Sequence, residues 1–147
     1  MKTILLTITA MASISSCGTK NKQDDWDKKN IRSLEIDDPR VERAMKAAQD
    51  SLEYYVDYFK KYYGQENYSF YLKKSFHDNE DTEHMWTAPF LLTDNGFRCT
   101  LDNVPNTLTN LNLGDTVDVR FADIEDFVIV TADTVIIGDY LQKEIKR

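Results

Sequence analysis

The chain is poor in the residues that staple or punctuate a small protein. Its 147 residues include two cysteines, three prolines, five glycines and two histidines. Two cysteines exclude a disulfide-dense scaffold, so stability has to come from a packed core. So little glycine and proline excludes collagen-like and low-complexity sequence, while an apolar share of 41% with 12% aromatics suffices for one core. Basic charge is short as well: 18 Lys and Arg stand against 25 Asp and Glu, a net charge of −7. That balance excludes a broad nucleic-acid footprint, which needs clustered positive charge. No phosphate-binding glycine loop, dinucleotide fingerprint, zinc-finger spacing or internal repeat occurs, and no cofactor is expected.

What is present begins with a leader. "MKTILLTITAMASISSC" has a basic start at Lys2, an apolar run from Ile4 to Ile14 and small residues Ser15 and Ser16 before Cys17. That is signal-peptide anatomy, too short for a membrane span of about twenty residues. Its ending, "ISSC", resembles the lipobox of bacterial lipoproteins. By that resemblance residues 1–16 are a signal peptide and Cys17 is the lipidated first residue of the mature chain. An N-terminus carrying several acyl chains holds a protein on a membrane durably. The expected location is therefore the cell envelope, at the periplasmic face or the cell surface, with a protein partner there. With Cys17 acylated, Cys99 has no partner within the chain. In "FRCTL" it alternates with Phe97 and Leu101, which reads as a buried, inert thiol. Residues 17–37 are polar and without period, a tether with a reach of about 60 to 70 Å when extended.

From residue 38 to 147 the sequence reads as a single α+β domain. Asp38 is a candidate N-cap, Pro39 suits the first helical position and Gly64 suits a stop. Between them Val41, Ala44, Ala48, Leu52, Tyr55, Val56, Phe59 and Tyr63 recur at three and four, predicting a long amphipathic helix. The tyrosines from 54 to 63 read as core edges with wet hydroxyls. After Gly64 the period falls to two. Tyr68, Phe70 and Leu72 alternate with Ser69, Tyr71 and Lys73; Trp86, Ala88 and Phe90 alternate with Met85, Thr87 and Pro89. The first set of each pair is expected inside, with Pro89 at an edge or a bulge. "TDNGF" signals a hairpin through residues that accept positive φ, and "VDVRF", "DFVIV" and "TVII" are further strands. A long helix packed on a curled, mostly antiparallel meander of about six short strands follows.

Both histidines fall in "HDNEDTEHMW", His77 to Trp86, among four carboxylates. Two histidines seven apart match no standard zinc spacing, and "DNEDTE" lacks the central glycine of a calcium loop, so no metal is expected. Glu83 and His84, as neighbours on a strand, point to opposite faces, which opposes a shared acid–base role. The preferred reading places His84 and Trp86 on the core face, His84 at its rim with Asp126 or Asn103 as partner, and Glu83 on the wetter face.

The segment from "FYLKKSFHDNEDTEHMW" to "FVIV", with the helix before it and "IIGDY" after it, resembles the bacterial domain-of-unknown-function family 2314. The resemblance runs through Ala44, Ala47 and Ala48, "K..F" at Lys73 and Phe76, and "EHMW" at Glu83 to Trp86. It continues with "L.N.P" at Leu101, Asn103 and Pro105, "GD.V" at Gly114, Asp115 and Val117, and Ile124, Asp126 and Phe127. Cys99 stands where that pattern has glycine, and Phe127 where it has tryptophan. The resemblance implies fold, register and a set of positions, and no established activity. Glu83, His84, Trp86, Asn103 and Asp126 form the resulting candidate surface, with no catalytic residue assigned. The preferred expectation is a non-enzymatic binding module. The alternatives are a small hydrolase, metal-dependent or acid–base, using Glu83 and His84 with Asp126, and an immunity or envelope-stress protein.

Overall fold

The structure, a computed structural model, describes residues 38–78, 81–132 and 134–147. The expected signal peptide, Cys17 and the tether lie outside the described residues. The first helix, α1 (Pro39–Asp50), starts where its capping chemistry dictates. The Asp38 carboxylate accepts the Arg40 backbone N–H at 2.8 Å, and Pro39 occupies the first turn. Ser51 interrupts the helix, and α2 (Leu52–Tyr62) continues it to Gly64, whose φ of +83° ends it.

Six strands follow: β1 (Tyr68–Asp78), β2 (Asp81–Thr93), β3 (Gly96–Leu101), β4 (Thr116–Arg120), β5 (Asp126–Thr131) and β6 (Thr134–Gly138). They form one open antiparallel sheet in the order β4-β3-β2-β1-β5-β6. A short helix, α3 (Tyr140–Ile145), ends the chain. The fold is α+β. Only the first four strands are a meander, because β5 returns to pair with β1. Residues 121–125 carry the chain past three strands to do so. A flat sheet would separate β4 from β5 by about 19 Å, close to the whole reach of an extended link of that length. Since part of the link is a 3-10 turn, the sheet is curled.

The helices lie on one face of this sheet. Tyr55, wholly buried, places its ring 5.8 Å from Phe70, 5.6 Å from Phe97 and 4.8 Å from Phe127. Ala48, Leu52 and Phe59 complete the helix side, while Leu72, Cys99, Val119, Ile124 and Ile129 join from the sheet side. Tyr140 of α3 packs on Phe127, so α3 shares that side. A second cluster, Phe76, Met85, Leu101 and Leu108, continues the same face beneath the loop between β3 and β4.

The orientation expected for β2 is reversed. Leu72 pairs with Thr87 and Lys74 with Met85, and cross-strand partners share a face. Met85, Thr87 and Pro89 therefore face the helices, and Trp86, Ala88 and Phe90 face away. Both sides of that run carry large apolar residues, so alternation alone could not assign the core side. Trp86 is nonetheless 7% exposed. Pro89 does sit beside a bulge, with the register slipping between Pro89 and Leu91, although β2 is an interior strand. The Asp94–Asn95 turn forms without positive φ at either residue. Gly96 serves close approach instead, since a Cβ there would collide with the Val119 carbonyl.

Candidate functional site

His77–Asp78 and Asp81–Trp86 form the far end of the β1–β2 pair. His77 opposes Thr82 and Ser75 opposes His84, so both histidines lie on the sheet face away from the helices. His77 Nδ1 lies 2.8 Å from the Thr82 hydroxyl. Among the described residues, no group of three or more His, Cys, Asp or Glu is arranged to hold a metal ion.

Each candidate residue has a definite partner. His84 Nδ1 sits 2.6 Å from Glu125 Oε2, so its partner is Glu125 and not the expected Asp126 or Asn103. A carboxylate only accepts, so Nδ1 carries the proton and Nε2 is left for a second partner. Burial raises the Glu125 carboxyl, but its bonds to His84 and Ser75 and the nearby Lys73 charge leave it below its ordinary range. The Lys73 ammonium lies 5.4 Å from the centre of the Trp86 ring. Asn103 accepts the Trp86 backbone N–H at 2.5 Å, and Trp86 accepts from Asp102 N–H at 3.0 Å. These bonds tie the β3–β4 loop to β2.

Glu83 belongs to the other face and to the same loop. Its carboxylate accepts the backbone N–H groups of Asn106, Thr107 and Leu108 and the Thr107 hydroxyl. Burial pushes its pKa up, but those donors outweigh it and hold the group at about 2. Asp126 is 3% exposed and accepts from Phe127, Tyr140 and Leu141 N–H at 2.8, 3.2 and 3.1 Å. It caps α3, because Asp139, at the N-cap position with φ +59°, makes no capping bond of its own. Burial, against those three donors and with Asp139 nearby, raises Asp126 to about 6. Glu83 and Asp126 are thus occupied in holding a loop and a helix, and the structure does not bring them together with His84.

A second feature of the outer face escaped the sequence reading. The β1–β2 ladder ends at Leu72–Thr87, although β1 continues to Tyr68 and β2 to Thr93. Beyond that pair the two strands part, and an open groove of about 460 Å³ lies between them. Its walls are Ser69 to Tyr71 on one side and Ala88 to Phe90 on the other, with Tyr63 and Gln65 at its end. The outward alternation of Ser69 and Tyr71 was legible. The divergence was not, since register is a property of strand pairs.

A family model described as an uncharacterized protein conserved in bacteria (DUF2314) matches residues 38–146. The chain belongs to the DUF2314 family. No curated protein and no solved structure matches it. In this DUF2314 chain three of the positions that carry the resemblance are fasteners: Glu83 of β2 holds the β3–β4 loop, Asn103 of that loop holds β2, and Asp126 of β5 holds α3. Cys99, at a glycine position of the pattern, is a free, buried thiol that burial pushes up to about 11 despite a bond to Thr87. That thiol is protonated at neutral pH and poorly suited to attack.

Proposed function

We propose that this DUF2314 chain is a lipid-anchored cell-envelope protein whose domain binds a partner through the outer sheet face and performs no catalysis. One observation carries the binding half: the groove opened by the parting of β1 and β2, walled mainly by outward side chains of the two strands and closed at one end by Tyr63 to Gln65, just past α2. Antiparallel sheets tolerate one open face, and an aromatic-lined concavity there is the default place for recognition. The leader and the "ISSC" ending support the anchor. Against a hydrolase stands the division of Glu83 and His84 between opposite faces. An immunity or envelope-stress role draws on the small acidic format alone.

Two experiments test the halves separately. Bacteria fed an alkyne fatty acid should label the full chain, and Cys17→Ala should abolish the label; a labelled alanine variant overturns the anchor. Formaldehyde crosslinking of the full chain in cells should trap a discrete adduct that Phe90→Arg removes. An adduct pattern unchanged by Phe90→Arg overturns the binding face.

A further inference from the structure

We infer that the groove between β1 and β2 is a slot for an extended, uncharged segment of a partner polypeptide, held as an added strand on β1. The inference deepens the binding reading above and rests on it. Tyr68 to Tyr71 pair with Thr131 to Val128 of β5 on one side only. Toward β2 that stretch of β1 has no strand partner among the described residues. The Tyr68 N–H is given to the Gln65 carbonyl at 3.0 Å, and by alternation from Leu72 the side toward β2 offers the Phe70 N–H and C=O and the Tyr68 C=O for pairing with another chain. The facing wall cannot compete for that role. Pro89 has no N–H, and the register slip between Pro89 and Leu91 breaks the ladder period there. What β2 contributes is side chain: Ala88, and Phe90 with 40% of its surface exposed.

The outer edges of the sheet are protected by comparison. β4 carries Asp118 and Arg120, and β6 is short and opposes an irregular register between Ile129 and Val130. Charge and bulges are the usual devices that block edge pairing. The slot inside the sheet has neither device on its β1 side.

The lining selects the kind of segment. Tyr63, Tyr68, Tyr71 and Phe90 supply rings, Gln65 and Thr100 supply neutral polar groups, and no lining residue is charged. A charged side chain entering this groove would lose hydration among uncharged lining groups, the nearest charges being Asp102, beside Tyr71, and Lys61, beside Tyr68, outside the lining. An added strand draws affinity from its backbone and specificity from alternate side chains. Ala88 and the Phe90 ring on the β2 side suit an apolar residue at every second position.

The test uses the full chain in detergent micelles and a phage-displayed library of short random peptides, with Phe90→Arg as the counter-target. Wild type should enrich uncharged, extended sequences that the variant does not hold. In a synthetic copy, N-methylation of alternate backbone amides should weaken binding about tenfold, with the intervening amides tolerant. Backbone amide signals of Ser69, Phe70 and Tyr71 should shift in the NMR spectrum on binding. Should Phe90→Arg fail to melt cooperatively, Phe90→Ala replaces it. The inference is overturned by no enrichment over the variant, by N-methylation tolerated everywhere, or by an uncharged N-acetylglucosamine oligomer binding in place of peptides. If peptides fail while Phe90→Arg still removes the cellular adduct, the slot falls and the binding face stands.

Discussion

Glu83 and His84 are neighbours in the chain and are separated by the sheet. The alternation of a strand dictates that, and it was legible from the sequence. The chemistry of each residue then follows from its side. Glu83 collects loop N–H groups, and its depressed pKa makes a stability contribution that is full above about 4.5 and lost as pH falls toward 2. Acid-induced melts should register that loss, and Glu83→Gln should remove it. Asp126 has the opposite sign. Its folded pKa of about 6 lies above the ordinary value of 3.8, so the buried charge costs stability at neutral pH. The fold should gain up to about 3 kcal/mol as pH falls through 6 toward 4, a gain that Asp126→Asn should lack. Tyr55 buries a hydroxyl without a hydrogen-bond partner. Tyr55→Phe should keep the ring contacts and raise stability by about 1 kcal/mol in a thermal or urea melt. Trp86→Ala should cost about 3 to 5 kcal/mol, since the ring is buried even though it faces away from the helices. A fully cooperative and unchanged melt of that variant would contradict this packing role.

Among the elements, what the sequence disclosed best were local features. The Asp38–Pro39 start, the Gly64 stop, the hairpin at Asp94–Asn95 and the bulge beside Pro89 each rest on one or two residues. Features that depend on pairing between distant segments were hidden. Which side of β2 meets the helices is decided by Leu72 facing Thr87, and the return of β5 to β1 is decided by curl. The helix α3 was missed because it is short and is capped from Asp126, fourteen residues before Tyr140. Gly138 marks the same junction. It has φ +94°, and a Cβ would collide with the Phe127 carbonyl. Gly138→Ala should therefore strain the backbone and weaken the seat of α3. Hydrogen exchange should find faster amides in α3 and β6 with β2 and β3 little changed.

For the whole molecule, the acidic balance and the sparse histidines and cysteines limit the chemistry, and the sheet supplies a face. The helices and the β3–β4 loop spend most of the candidate carboxylates on holding that sheet in place. The acidic composition opposes a broad nucleic-acid footprint, and the family-like positions pointed to the loop and to β5. Neither pointed to the groove, whose walls are ordinary strand residues until two strands part. The central claim is that this face, and not the helix surface, meets a partner. A photo-crosslinking amino acid placed at position 90 of the full chain in living bacteria, compared with one at the exposed Tyr54 of α2, tests it most directly. The account expects a discrete protein adduct from position 90 and none from position 54. Adducts from position 54 alone, or none from position 90, would contradict it.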